Sequence, residues 1–199
     1  MARAPTRKKP GFVRIIGGEW RGRRLPVVDL PGLRPSGDRT RETLFNWLQP
    51  YIRGTRCVDL FAGTGVLGIE AYSRGAAEVT LVENMPLAVQ ALRAALVKLD
   101  HPGAKAGLHL AETDAIRWLQ LQEPASLDIV FVDPPFGSRL ETKAMTQLVD
   151  RDLVRPNGLV YIESSRDTPP FHPGLGWDIA REKTLGQVRM LLLKKIATD

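Results

Sequence analysis

The sequence reads as an α/β protein built on a mainly parallel sheet with helices on both faces. Three observations carry that reading. From residue 57 onward, short apolar runs alternate with stretches of helical periodicity, the pattern of repeated strand–helix units. A glycine-rich turn, Gly63-x-Gly65-x-x-Gly68, separates the first apolar run from the next helical stretch. The last two runs are joined by a short turn at Gly186-Gln187, too short for a parallel crossover, so this pair is expected to be an antiparallel hairpin at one edge.

Residues 1–11 are basic, carry two prolines and show no periodicity; a disordered tail is expected there. Residues 12–50 form a second unit, an N-terminal extension. Phe12 to Val28 alternates apolar with basic or glycine residues and predicts a hairpin turning near Gly17-Gly18 or Trp20-Arg21-Gly22. Leu30 to Gly37 is a Pro/Gly loop. Asp38 is placed to cap a helix running to Leu48, with Leu44, Phe45 and Leu48 on one face, before Pro50.

Residues 51–199 form the main domain. Strands are expected at Cys57 to Phe61, Glu78 to Glu83, Gly107 to Ala111, Leu127 to Val132 and Gly158 to Glu163. The intervening helices are expected at Val66 to Ser73, Leu87 to Leu99, Ala115 to Leu121 and Thr142 to Asp150. The closing hairpin is Trp177 to Thr184 with Val188 to Lys194.

Composition excludes several classes. One cysteine, Cys57, rules out an intrachain disulfide and also a base C5-methylating chemistry that needs two cysteines. His101, His109 and His172 lack metal-ligand spacing, so no metal is expected. No apolar run is long enough to span a bilayer, and no apolar segment follows the basic start; a cytoplasmic protein without a membrane partner is expected. Of the net +6, residues 1–56 hold 13 Lys+Arg against 4 Asp+Glu, so the remainder of the chain is slightly acidic. Positive charge confined to one segment points to a polyanion partner.

The first main-domain strand ends in Asp59-Leu60-Phe61-Ala62-Gly63-Thr64-Gly65. In doubly wound sheets ligands bind at such strand tips, where glycines admit close backbone approach and a helix N-terminus offers N–H groups. The same glycines match a dinucleotide fingerprint, which keeps an NAD-dependent oxidoreductase as an alternative. Asp59 separates the two, because a carboxylate there repels a pyrophosphate but suits a ligand carrying an ammonium and a sulfonium. S-adenosylmethionine is such a ligand, and S-adenosylhomocysteine is its product. Glu83, followed by Asn84, ends the second strand, where an acid binds ribose hydroxyls. Asp114 and the Ala115 N–H, after the third, are placed for adenine. Asp114 serves equally well as a helix cap.

The fourth strand ends in Asp133-Pro134-Pro135-Phe136. Two prolines stiffen the backbone and leave carbonyls as acceptors. An exocyclic base amine is a poor nucleophile, since its lone pair is delocalised. Acceptors from the Asp133 carboxylate and the Pro134 carbonyl hold its N–H groups and restore nucleophilic character, while Phe136 stacks on the base.

These residues resemble the class I methyltransferases bearing the [D/N]-P-P-[F/Y/W] motif. The N-terminal blocks narrow the match. Arg14-Ile15-Ile16-Gly17-Gly18-x-Trp20-Arg21-Gly22-Arg23-x-Leu25 and Leu33-Arg34-Pro35-x-x-Asp38-Arg39-x-Arg41-Glu42-x-Leu44-Phe45-Asn46, with Gly186-Gln187-Val188 near the end, are similar to the bacterial 16S ribosomal RNA (guanine(966)-N2)-methyltransferase family. One departure is Ser36-Gly37, where that family commonly begins with threonine. The resemblance implies a Rossmann-like seven-stranded class I methyltransferase sheet with a small hairpin-and-helix extension. It also implies one methyl added to a guanine N2 of 16S rRNA within an assembled or partly assembled 30S subunit; separately, a monomer is expected. On this view Arg14, Arg21, Arg23 and Arg24 contact phosphates, and Arg34, Arg39 and Arg41 lie nearer the site. Arg39 and Arg41 are also spaced to pair locally with Asp38 or Glu42. A DNA adenine-N6 or protein glutamine methyltransferase shares the tetrapeptide, but the N-terminal blocks weigh against both.

Overall fold

The computed structural model describes residues 11–27, 37–99, 107–135, 137–169, 171–172 and 174–197. The basic tail, most of the Pro/Gly loop with Arg34, the His101 turn and Phe136 lie outside the described residues.

The extension opens with β1 (Gly11–Arg14) and β2 (Arg24–Val27), an antiparallel pair in the register Gly11↔Val27 to Arg14↔Arg24. Both expected turn signals are used between them. Gly18 and Gly22 have φ of +79° and +87°, values that glycine adopts freely. Gly18 also lies against the main domain: a Cβ there would sit 1.9 Å from the Ser73 carbonyl oxygen, so only glycine fits.

Helix α1 (Asp38–Leu48) follows, with Leu44, Phe45 and Leu48 buried as the periodicity requires. Its N-cap is Gly37 rather than Asp38, and no side chain caps it. Asp38 instead accepts a hydrogen bond from Arg41 Nη2 at 2.6 Å, one turn on.

The main domain runs β3 (Arg56–Asp59), α2 (Val66–Ser73), β4 (Glu78–Glu83), α3 (Pro86–Lys98), β5 (Leu108–Glu112), α4 (Ala115–Gln120), β6 (Leu127–Val132), α5 (Leu140–Asp150), β7 (Val154–Ser165), β8 (Trp177–Leu185) and β9 (Val188–Lys195). The seven main-domain strands form one sheet in the order β5-β4-β3-β6-β7-β9-β8. All pairs are parallel except β7–β9 and β8–β9. The strand order therefore reverses between β3 and β6, which opens a crevice above their carboxyl ends.

β7 begins four residues earlier than its sequence pattern indicates. Pro156-Asn157-Gly158 reads as a turn, and Asn157 does take φ +64°. The chain nevertheless stays in the sheet: Leu127 pairs with Val154 and Ile129 with Leu159, so the intervening residues form a bulge.

Two apolar layers flank the sheet. One of them unites the extension with the main domain. Val13, Ile15, Trp20, Leu25, Leu44 and Phe45 share a cluster with residues of α2, α3 and the strands. Phe45 meets Phe131 with ring centroids 6.2 Å apart. Trp20 is 2% exposed and packs on Tyr72, so it is a core residue and not a stacking platform.

A polar cluster locks the same junction. Arg41 and Glu70 are both fully buried, and Arg41 Nη1 donates to Glu70 Oε2 at 2.7 Å and to the Arg14 carbonyl at 2.9 Å. Glu70 also accepts from Arg74 and from the Ile16 N–H. Ser73 completes the seam, accepting from the Trp20 N–H and donating to the Gly17 carbonyl. Burial corrects one expectation: Arg41 has no accessible surface with which to meet RNA. The local pairing with Asp38 is part of its role, and Glu70 and the Arg14 carbonyl are among its other partners.

Candidate functional site

A cleft of about 670 Å³ opens over the carboxyl ends of the central strands. Its floor is the β3–α2 turn. Gly63 and Gly65 adopt φ of +53° and +74°, which lets the chain reverse directly into α2. Gly68 serves packing: a Cβ there would lie 2.3 Å from Leu81 Cδ2. Phe61, Ala62, Gly63 and Thr64 line the cleft; Gly65, which caps α2, lies behind them.

Asp59 is 1% exposed. Its Oδ2 accepts from the Gly68 N–H at 3.0 Å, so the carboxylate satisfies one of the amides that the first turn of α2 leaves without a partner. Oδ1 is buried and accepts no well-formed hydrogen bond among the described residues, although the Phe61 N–H lies close enough to favour its charge. Burial pushes the Asp59 carboxyl up to about 7; the Gly68 and Phe61 N–H groups oppose this, and the neighbouring Asp133 and Glu83 charges add to it. A buried, unsatisfied carboxylate oxygen at a cleft is costly unless a donor arrives. A ligand ammonium fits that requirement, whereas a pyrophosphate would add repulsion.

Glu83 is 8% exposed. Its Oε2 accepts from the Gly63 N–H at 2.8 Å, and its Oε1 from the Asn84 and Met85 N–H groups at 2.9 and 2.8 Å. It thus fixes the glycine turn to the tip of β4 while lining the cleft beside the exposed Asn84. Asp114 does cap α4, its Oδ1 accepting from the Ile116 and Arg117 N–H groups. It lines the cleft as well, next to the buried Ala115. Capping and ligand contact are compatible, because both capping bonds fall on one oxygen.

Asp133 and Pro134 line the same cleft past the end of β6, Asp133 half-buried and Pro134 buried, with the exposed Pro135 beside them. The Pro135 carbonyl accepts from the Ser138 N–H at 3.2 Å, so of the two proline carbonyls Pro134 is the one that this turn leaves to a substrate. Among the described residues no group of acids and histidines is arranged to hold a metal ion.

Two of the cleft-lining residues that the sequence does not single out are polar or border the extension. Glu163, on β7, lines the same cleft and is 5% exposed; its signal was an acid closing the apolar run Leu159 to Ile162. Gly37, just before α1, also lines the cleft, so the basic extension borders the site. Of its arginines, Arg14 is 60% exposed while loosely paired with Asp38, and Arg21, Arg24 and Arg39 are exposed. Arg23 is half-buried, donating to the Leu99 carbonyl and lying over Trp20.

A parallel sheet that ends in an antiparallel β8–β9 pair, with an acid-lined cleft at its central strand tips, is the architecture of the Rossmann-like class I methyltransferases. A family model described as Conserved hypothetical protein 95 matches residues 13–194. Ribosomal RNA small subunit methyltransferase D of Haemophilus influenzae is 42% identical over 189 residues, covering 94% of this chain and 96% of its own. The protein of that name from Escherichia coli K12 is 42% identical over 193 residues, covering 97% and 95%. The solved structure of the Escherichia coli protein yhhF superimposes with a TM-score of 0.83 at 41% identity, covering 94% of this chain and 100% of that one. The chain belongs to this family, that of the ribosomal RNA small subunit methyltransferases D.

The Asp59 geometry has a testable consequence. The native carboxyl keeps its proton to about pH 7, whereas the unfolded chain releases it in the ordinary carboxylate range. Its contribution to stability therefore declines as pH rises through that window. A ligand ammonium prefers the ionised form, so affinity for S-adenosylhomocysteine is expected to strengthen from pH 6 to pH 7.5. Isothermal titration measures this; an affinity that is flat with pH in the native protein, or unchanged by Asp59→Asn, contradicts the ammonium–Asp59 pairing.

Proposed function

We propose that the protein transfers one methyl group from S-adenosylmethionine to the exocyclic N2 of guanine 966 in 16S rRNA, within the small subunit in the cytoplasm. The observation that carries this is Asp133-Pro134 set in one cleft with the buried Asp59 carboxylate. The family's name supplies the substrate class. S-adenosylmethionine, when bound, supplies a methyl already activated on a positively charged sulfur.

The chain's own residues then do three things. Asp59, Glu83 and Asp114 bind the ammonium, ribose and adenine ends of the donor and so fix where the methyl lies. Asp133 and the Pro134 carbonyl accept the two N–H groups of the amine, turning its lone pair out of the ring plane and toward the methyl. Alignment for in-line displacement supplies most of the remaining rate. Asp133 is also placed to hold the proton that the amine releases. The exposed Arg14, Arg21, Arg24 and Arg39 contact phosphates and position the RNA without reading its bases.

The test presents labelled donor with small subunits from a strain lacking this gene, with naked 16S rRNA, with duplex DNA and with protein release factor. Methyl is expected on a single guanine N2 of the rRNA, located by primer extension and nucleoside mass spectrometry. Label in DNA or protein alone refutes the assignment.

A further inference from the structure

We propose that Glu163 selects the base, its carboxylate accepting the ring N1–H of guanine beside the amine held by Asp133. This rests on the reading above that a guanine amine is the methyl acceptor.

The placement comes from the sheet. β6 and β7 are parallel neighbours with Val132 opposite Ile162. Asp133 is the residue just past the end of β6 and Glu163 follows Ile162 on β7, so the two backbones stand side by side at the same level, about 4.8 Å apart. Both line the cleft that holds Pro134. Glu163 is 5% exposed, and its Oε2 accepts from the Tyr161 hydroxyl at 2.8 Å. Tyr161 is itself fully buried, so it fixes the orientation of the carboxylate from beneath.

A buried carboxylate is costly to keep at a position where the run from Leu159 to Ile162 is otherwise apolar or aromatic. The Tyr161 hydroxyl and a further polar partner within the protein offset that cost. A carboxylate has about four acceptor positions, so a base N–H can join the partners that Glu163 already has.

The chemistry of the bases decides which donor. Guanine presents N1–H and N2–H side by side, two adjacent donors. Adenine presents its amine next to an N1 lone pair. Two neighbouring acceptors therefore match guanine at both points, whereas adenine would set a lone pair against a carboxylate. Asp133 and Pro134 alone hold an exocyclic amine of either base. Glu163 supplies the distinction.

The experiment uses small subunits reconstituted with 16S rRNA carrying guanosine or 2-aminopurine riboside at the target. Both bases offer the 2-amino group, but the N1 of 2-aminopurine bears no hydrogen. The native enzyme is expected to favour guanosine in kcat/KM by about 10–100-fold, the range for a hydrogen bond to a charged group. Glu163→Gln keeps an acceptor for the Tyr161 hydroxyl, weakens the hold on guanosine and offers an amide N–H to the bare N1. The preference is expected to narrow by about 10-fold, with affinity for S-adenosylhomocysteine unchanged. If Glu163→Gln folds poorly, the pair Glu163→Ala with Tyr161→Phe removes both ends of the bond and is expected to narrow the preference likewise. An unchanged preference, or an effect confined to S-adenosylhomocysteine affinity, overturns the assignment. A native enzyme that methylates neither base refutes instead the underlying function, and this inference with it.

Discussion

Asp133→Ala is expected to lose on the order of 10²–10³ in kcat, the magnitude seen when one preorganised hydrogen-bonding group is removed from an active site. The reason is that the methyl arrives already activated, so the protein's main task is to make the amine nucleophilic and align it. Asp133 stands at the tip of β6, half-buried, in the cleft that Asp59 and Glu83 share. The substitution removes the acceptor but touches none of the bonds that shape the donor side: Asp59 to Gly68, and Glu83 to Gly63, Asn84 and Met85. Affinity for S-adenosylhomocysteine is therefore expected to stay within a few-fold of the native value. Single-turnover transfer and isothermal titration separate the two. Full activity in Asp133→Ala, or loss of binding in step with activity, contradicts the assigned role.

The second large effect is on stability. Among the described residues, Arg41→Ala leaves the buried Glu70 with Arg74 and the Ile16 N–H as partners and removes the Arg41 bond to the Arg14 carbonyl. Breaking a buried pair from one side costs about 3–5 kcal/mol, which for a chain of this size lowers Tm by roughly 10 °C. Arg21→Ala, at an exposed position, is expected to change stability by less than about 0.5 kcal/mol and to weaken small-subunit binding with a shallower salt dependence. Denaturant melts and salt-dependent binding distinguish the pair. Native-like stability in Arg41→Ala with a selective loss of RNA binding would restore it as an RNA contact.

That contrast shows where the sequence was legible. Strand and helix positions in the main domain follow from local period, and α2, β4 and β6 fall at the expected residues. The Asp59, Glu83 and Asp133 cleft was legible because each acid ends an apolar run, and parallel strands bring run-ends to one edge. What local pattern does not carry is which distant residue completes a group. Arg41 sits in a helix rich in exposed charge, and its burial depends on Glu70, 29 positions later. Glu70 reads as one acid in an apolar helix, and only docking of the hairpin shows why it is there. The bulge in β7 hides behind Pro156-Asn157-Gly158, where turn-type residues are absorbed by the sheet without ending the strand. Glu163 passed unremarked because a single acid after Ile162 resembles an ordinary strand terminus; its meaning comes from the neighbouring strand.

The account depends most on the donor lying along the tips of β3, β4 and β5 with its sulfur turned toward Asp133. A crystal structure with S-adenosylhomocysteine tests this directly. The account predicts the ligand ammonium within hydrogen-bond distance of Asp59, the ribose at Glu83, the adenine near Asp114 and Ala115, and an open path from the sulfur to the Asp133 carboxylate. A ligand bound outside this cleft, or one whose sulfur faces away from Asp133, would contradict it.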